Sequence, residues 1–190
     1  MDFSSGKYFS IRNIIGSVVL LAFAISIARP AVAAPVEGPT CKFVFDANDM
    51  LNTTPWHMYV TELQGVSKSG KLETSESIFV GGVRYIQFRG QWTRSPMTVL
   101  QMRDQEIENR KNAKNQSCHF TKDDTVNSEA ASVYSVHYES EDAKSDGQVW
   151  ISKRSGLILR NELDIDSGGG KSGLNHYSIR YDYSNVKAPL

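Results

Sequence analysis

The residues of this sequence that could do chemistry are a serine–lysine pair, a run of alternating carboxylates and four histidines. Ser184 and Lys187 have the S-x-x-K spacing, which on a helix places a lysine one turn from a nucleophilic serine. Here the pair follows a predicted strand, and neither S-D-N nor K-T-G occurs elsewhere. Chance spacing therefore explains the pair better than acyl-transfer catalysis does.

The alternating carboxylates Glu162, Asp164 and Asp166 resemble the start of a calcium-binding loop. Such a loop needs a glycine at its sixth position and a carboxylate at its twelfth. This sequence has Ser167 and Gly173 there instead. The glycine-rich stretch from Ser167 also lacks the rest of a phosphate-binding loop and leads into no helix. A solvated strand face followed by a turn is the better interpretation.

The four histidines form no metal-binding or catalytic pattern. His57, His119, His137 and His176 are scattered, and each fits an ordinary polar residue better than a ligand or a base. His119 adjoins Cys118, but there is no C-x-x-C or H-x-x-x-H partner to complete a zinc site. The sequence also has no G-x-S-x-G nucleophile motif. We therefore expect no metal, no cofactor and no enzymatic activity.

The two cysteines, Cys41 and Cys118, are most simply one disulfide if the protein reaches an oxidising compartment. Such a bond would tie the start of the domain to its middle, and the chain-entropy model gives it about 4 kcal/mol of stabilisation. Two separate buried thiols are the alternative, because buried free cysteine is common.

Residues 1–33 have the order of a secretory signal peptide. Lys7 and Arg12 form a positive region, an apolar stretch follows, and Ala31 and Ala33 form an A-x-A cleavage site. The alternative is an uncleaved membrane anchor, but the apolar stretch is short for a span of about 20 residues. We expect cleavage near Ala33 and a periplasmic or secreted protein.

Residues 34–190 are expected to form a single domain without a transmembrane segment. Removal of the signal peptide leaves 18 basic and 20 acidic side chains, a net charge of −2. No basic stripe contradicts this balance, so nucleic acid is not an expected partner.

Most of the domain is predicted to be antiparallel strands. Pro55–Gln64 is rich in aromatic and β-branched residues and predicts a strand. The Gly81–Gly82 pair predicts a hairpin turn or a bulge. Residues 34–40 form a lead-in that contains proline and glycine, and Asp46–Thr54 is interpreted as a short helix or a turn.

Thr98–Lys114 is the strong helix candidate, since it has good helix formers and neither glycine nor proline. Much of this segment is charged, which predicts a surface helix with a narrow apolar face. Its apolar residues are Leu100, Met102 and Ile107.

The C-terminal strands alternate between apolar and polar residues. In Leu157–Ile165, Leu157, Leu159, Leu163 and Ile165 are predicted to share one face with Asn161. The predicted sheet therefore has a dry and a wet side. One helix is little cover for the dry side, so the sheet either curls toward a barrel or leaves an apolar hollow under the helix.

The last third of the sequence resembles the periplasmic lipoprotein-carrier superfamily, the LolA/LolB-like proteins, while the earlier part agrees in layout. The matching residues are Val149, Trp150, Ile151, Gly156, Leu157, Leu159, Arg160, Glu162, Tyr181, Tyr183 and Val186. The resemblance implies an α+β fold with a curved, mostly antiparallel sheet, an open half-barrel, and one or a few helices across its concave face. It also implies a lipid or other hydrophobic ligand in the hollow.

A binding role predicts a lined hollow and a lid. The ligand-binding candidates are Trp92, Trp150, Leu157, Leu159, Tyr177 and Tyr181, and the lid candidates are Leu100, Met102 and Ile107. Ordinary core packing is the alternative for the aromatic residues. Arg160 either meets a ligand head group or faces solvent. The competing function is a structural or interaction domain of the cell envelope, with a filled concave face and an envelope protein as partner.

Overall fold

The computed structural model describes residues 39–64, 71–167 and 174–190. The predicted signal peptide, its cleavage site and most of the glycine-rich stretch from Ser167 lie outside these ranges. The described elements are α1 (Pro39–Met50), β1 (Trp56–Gln64), β2 (Lys71–Val80), β3 (Val83–Phe88), β4 (Gln91–Arg94), α2 (Val99–Asn112), β5 (Asn115–Val126), β6 (Glu129–Glu139), β7 (Lys144–Ser152), β8 (Ile158–Asp166) and β9 (Leu174–Asp182).

The nine strands form one antiparallel sheet in the order β4-β3-β2-β1-β9-β8-β7-β6-β5. Two meanders, β1–β4 and β5–β9, meet where β1 pairs with β9. Helix α2 connects β4 to β5, the two edge strands. The sheet is curved and open, not a closed barrel, which confirms the predicted fold class.

Two-residue turns set the register of several hairpins. Gly81 and Gly82 both have positive φ angles, 61° and 74°, and join β2 to β3. Such turns match the twist of the flanking strands. The glycine pair is therefore the hairpin turn that the sequence predicted as one of two alternatives. Asn127 and Ser128, with φ of 49° and 69°, make the equivalent turn between β5 and β6.

Helix α1 corrects the sequence analysis, which interpreted its first residues as a lead-in and expected only one strong helix. The helix begins at Pro39, and proline suits the first turn because its missing N–H has no partner there in any case. Cys41, Val44, Phe45 and Ala47 are its buried residues, at a spacing that puts them on one face. The pattern was hidden because aromatic and β-branched residues in so short a run also suit a strand.

The buried face of α1 forms the main core with β5, β7 and β8. The core residues are Cys41, Val44, Phe45, Ala47, Cys118, Val149, Ile151 and Ile158. The Cys41–Cys118 disulfide lies inside this core and joins α1 to β5, with a Cα–Cα distance of 4.9 Å. This confirms the predicted pairing and fits an exported protein, since disulfides persist in oxidising compartments.

A second core lies on the opposite face of the sheet, and its buried residues are Ala131, Val133, Trp150 and Leu159. The β7–β8 register shifts between Trp150, which pairs with Arg160, and Ile151, which pairs with Ile158. This irregularity corrects the predicted face of Leu159. Strict alternation placed it with Leu163, whereas it packs with Trp150, because the extra residue reverses the alternation beyond the shift.

Candidate functional site

We define the concave face as the face of the sheet on which α1 packs. A row of residues in direct register crosses it, from Val149 through Asn161 and Ile179 to Val60 and on to Ser75. Residues in register on neighbouring strands point to the same side of a sheet. This row therefore identifies one continuous surface that extends from the α1 core to β2.

Helix α2 lies across this surface from β3 to β6. Near its N-terminus the Sδ atom of Met102 accepts a hydrogen bond from Nη1 of Arg84 at 3.7 Å. Near its C-terminus the carbonyl oxygen of Asn109 accepts one from the Tyr138 hydroxyl at 3.3 Å. Arg84 and Tyr138 belong to β3 and β6, so the helix spans most of the width of the sheet.

The C-terminal half of α2 is fastened to α1. The guanidinium of Arg110 stacks over the Phe45 ring at 4.3 Å from its centre. It also bonds to Asp49 of α1 at 3.2 Å and to Glu106 of its own helix. Cation–π and charge-assisted contacts of this kind hold one position more firmly than a single surface ion pair does.

The predicted lid residues lie unequally on α2. None of the helix residues is buried. Leu100 is 70% exposed and Ile107 is 36% exposed, whereas Met102 is half-buried against Arg84. Met102 is thus the candidate that the structure brings to the concave face, and the lid stays a prediction.

The six predicted ligand-binding residues do not come together in one place. Tyr177 and Tyr181 lie on the concave face, where β9 pairs with β1. Trp150 and Leu159 belong to the second core. Leu157 is half-buried and lies just before β8. Trp92 lies on the opposite face, where its ring centre is 6.1 Å from that of His57.

A buried carboxylate, missed by the sequence analysis, lies beside the predicted Tyr177. Glu62 is only 7% exposed, and its Oε1 accepts hydrogen bonds from the Tyr177 hydroxyl at 2.9 Å and from Nδ2 of Asn175 at 3.3 Å. Burial, helped by this bond to Glu62, raises the pKa of Tyr177 to about 12, so the tyrosine stays a donor at neutral pH. The available signal was alternation along β1, which puts Glu62 in phase with Met58 and Val60.

Arg84 is a second polar residue on this face that the sequence analysis missed. It pairs with Phe79 across β2 and β3, and its guanidinium lies 5.9 Å from the centre of the Trp56 ring. Its Nε atom is enclosed and has no hydrogen-bond partner among the described residues. Burial lowers the pKa of Arg84. Both faces of β3 contain apolar residues, so alternation along the strand could not assign Arg84 to a face.

Two further polar atoms on the concave face are enclosed without a partner in the described part of the chain. They are Oγ of Ser77, a residue that is 1% exposed, and Oδ1 of Asn161, a residue that is 9% exposed. Buried polar atoms in native proteins are nearly always hydrogen-bonded, so each exception calls for an explanation.

The opposite, outer face is lined with hydrogen bonds between histidines and carboxylates. Histidines on β1, β6 and β9 each bond to a carboxylate within 2.8 Å, in the pairs His57–Glu76, His137–Asp146 and His176–Asp164. Arg160 lies on this face, bonded to Glu162 and 5.0 Å from the centre of the Trp150 ring.

Within the described ranges, no group of three or more His, Cys, Asp or Glu side chains is arranged to hold a metal ion. None of the helices in these ranges is long and apolar enough to cross a membrane.

No protein-family model and no curated protein matches the chain. Several solved structures are similar to the chain, including the following three. Lipoprotein LppX from Mycobacterium tuberculosis is 8% identical over 78% of this chain and 97% of its own, with a TM-score of 0.44. LprF from Mycobacterium bovis is 11% identical over 80% of this chain and 94% of its own, with a TM-score of 0.41. A LolA superfamily protein from Nitrosomonas europaea is 7% identical over 75% of this chain and 91% of its own, with a TM-score of 0.25.

Proposed function

We propose that this chain is a non-catalytic binding or carrier protein that holds a lipid or other hydrophobic molecule on the concave face of its sheet. The observation that carries the proposal is a buried, mostly apolar surface over β1–β3, where Met58 and Val60 are 5% and 4% exposed. Helix α1 packs on β5 and β7. Over β1–β3 the described helices contribute only the N-terminal half of α2, through Met102.

The buried side chains of this surface suit an apolar ligand. Met58 and Val60 of β1 lie in register with Tyr181 and Ile179 of β9. Burial of apolar surface contributes roughly 25 cal/mol per Å² without requiring a particular orientation. Ligand sites are typically concave, mostly apolar and fitted with a few polar groups that set orientation. Glu62, with its two donors, is such a group.

The two faces of the sheet differ in the way this proposal requires. The outer face pairs its histidines with carboxylates and has a small core of its own around Trp150. The row of residues that crosses the concave face is mostly aliphatic between Val149 and Val60, with Asn161 as its polar member. A hydrophobic molecule therefore meets fewer charges on the concave side, and fewer ions have to lose water.

The predicted compartment also supports the proposal. The first 33 residues have the sequence of a signal peptide, and the Cys41–Cys118 disulfide fits an exported protein. A periplasmic or secreted binder meets envelope lipids and other hydrophobic molecules as ligands.

Native mass spectrometry with organic extraction would test this function, using the mature protein purified from the envelope of its own organism. We expect a co-purifying lipid or hydrophobic metabolite at near-equal stoichiometry. A mass without ligand, which persists after incubation with envelope lipids, would contradict the proposal.

A pair of variants would locate the site. Ile179→Trp adds bulk to a half-buried position of the concave face, whereas Thr61→Trp adds it to the outer face of the neighbouring strand. We expect Ile179→Trp to lose most of the bound ligand and Thr61→Trp to keep it, with both variants folded by circular dichroism. Equal loss in both variants would place the ligand elsewhere.

An exposed aromatic group favours protein interaction as a second candidate function. Phe43 of α1 and Phe120 of the edge strand β5 are 60% and 54% exposed, and both rings pack on Tyr134. Exposed aromatic residues beside an open strand edge suit a peptide that adds to the sheet. Two results together would favour this function. The wild-type protein would carry no ligand, and a variant with a photoreactive residue in place of Phe120 would cross-link to a protein partner.

A further inference from the structure

Arg84 has an unusual position for a charged residue. Its neighbours are Trp56 and Phe79, which are 6% and 3% exposed, and the thioether of Met102. Among the described residues no carboxylate forms an ion pair with it. A cation enclosed by apolar groups is costly unless an anion or several hydrogen bonds compensate.

Neither Glu106 of α2 nor Tyr181 of β9 supplies an anion to Arg84. Glu106 of α2 is bonded to Arg110. Tyr181, whose ring lies 6.0 Å from that of Trp56, is a neutral phenol at physiological pH, because burial raises its pKa to about 12. The described protein therefore supplies no anion to this guanidinium.

The free donors of Arg84 suit a two-point contact with an anion. A guanidinium has five N–H donors in a planar fork, which matches a carboxylate or a phosphate group. Nη1 is directed to the Met102 sulfur, a weak acceptor, and Nε has no partner in the described part of the chain. The stronger donors thus remain for another acceptor.

The position of Arg84 fits one end of an elongated molecule. Its partner Phe79 is next to Trp56 in register, and Ser77 and Met58 form the adjacent pair on the same face. Met58 in turn lies beside Tyr181. Arg84 thus occurs where the apolar surface of β1 and β9 reaches β3, under the N-terminal half of α2.

Resting on the proposed function, we infer that the ligand is an anionic amphiphile and that Arg84 binds its head group, a carboxylate or a phosphate. The apolar chain of the ligand would lie along Met58, Val60 and Ile179. Tenfold or greater discrimination for the anionic form is expected, since hydrogen bonds to charged groups contribute about that factor.

The test compares single-chain amphiphiles with the same saturated chain: the fatty acid, the alkyl phosphate and the neutral alcohol. Binding of each is measured at pH 8 by displacement of a fluorescent hydrophobic probe. We expect wild type to bind at least one anion about tenfold more tightly than the alcohol, and the preferred anion identifies carboxylate or phosphate as the head group. Equal binding of all three would overturn the inference but leave the proposed function standing. Binding of none would overturn both.

Variants assign the preference to Arg84. In Arg84→Gln we expect the affinities for the fatty acid and the alkyl phosphate to fall to the affinity for the alcohol. The affinity for the alcohol should stay within about twofold of the wild-type value. Arg94→Gln is the matched control, because Arg94 is exposed and in register with Tyr85, on the opposite face of the same hairpin. A charge preference that survives in folded Arg84→Gln, or that disappears equally in Arg94→Gln, would overturn the assignment.

Discussion

Ile158 and Leu159 are consecutive residues of β8, and they pack in separate cores on the two faces of the sheet. Ile158 lies with α1 and the disulfide, whereas Leu159 lies with Trp150, Ala131 and Val133. Alternation in a strand explains the opposite directions, and the irregular register after Trp150 decides which residue takes which side. Both faces of β8 are therefore packed, and Trp150 belongs to the core on the outer face.

Trp150→Phe is predicted to affect stability and not ligand binding. It removes the indole N–H that donates to Oδ2 of Asp124 at 3.0 Å, and it leaves a smaller ring in the outer core. We expect a loss of about 1–3 kcal/mol in unfolding free energy, measured by urea denaturation. The pKa of Asp124, which this bond and the backbone N–H of Thr125 lower, should rise toward its ordinary value in NMR titration. Trp92→Phe is the control, and an unchanged pKa of Asp124 in Trp150→Phe would refute the coupling.

Arg84→Met is predicted to leave the ligand-free protein as stable as wild type or more stable. The variant replaces an enclosed cation by an apolar side chain of similar length, so a desolvation cost disappears. We expect a gain of between zero and about 2 kcal/mol in unfolding free energy. Arg94→Met, at an exposed position, should change stability by less than about 0.5 kcal/mol. A clear loss of stability in Arg84→Met alone would show that the cation has a structural partner.

Reduction of the Cys41–Cys118 disulfide is predicted to cost about 4 kcal/mol, because the bond closes a loop with a sequence separation of 77 residues. Chemical denaturation with and without reductant would measure the difference. The double variant Cys41→Ala/Cys118→Ala should be equally weakened and insensitive to reductant. A difference below about 1 kcal/mol would mean that the α1 core alone fixes this end of the molecule.

Gly147→Ala is predicted to destabilise the β7–β8 ladder. A Cβ atom at Gly147 would lie 2.2 Å from the carbonyl oxygen of Glu162, so the strands would have to separate. We expect a loss of about 1–3 kcal/mol by thermal or urea unfolding. Ser145→Ala, two residues earlier on the same face, is the matched control and should be nearly neutral. Similar stabilities for the two variants would contradict the close approach.

His176 should make stability depend weakly on pH. Its hydrogen bond to Asp164, helped by Glu162, raises its pKa above the ordinary value of 6.5. The stabilisation from this contact is fully present at pH values below the ordinary pKa of His176. It disappears as the pH rises through the raised pKa of the folded state. Since the side chain is 46% exposed, we expect at most about 1 kcal/mol. Unfolding free energies at pH 6 and pH 8 should differ more in wild type than in His176→Gln, and an equal difference would disprove the linkage.

Much of the fold follows from residue patterns. The glycine pair at 81–82, the alternating C-terminal strands and the helix near residues 98–114 correspond to real elements, because turn chemistry, period-two alternation and helix propensity act locally. Helix α1 depends instead on its packing against distant strands and on a disulfide to β5. Local propensity contains little information about such contacts.

The candidate site was less predictable than the fold. Tyr177 and Tyr181 were identified from apolar alternation, and both lie on the concave face. Glu62 and Arg84 were missed because a charge on a strand normally indicates the solvated side. Trp150 and Trp92 point to the other face. Which face of the sheet the helices cover depends on long-range packing, and strand alternation alone cannot decide this.

The pairing of β1 with β9 has a kinetic consequence. It brings together residues as far apart in the chain as His57 and Asp182, whereas every other ladder of the described sheet joins consecutive strands. The two meanders can form quickly from local contacts, but their junction must wait for the closure of a long loop. The row from Asn161 through Ile179 to Val60 crosses that junction. We therefore expect the surface proposed to bind the ligand to be the last part of the sheet to assemble.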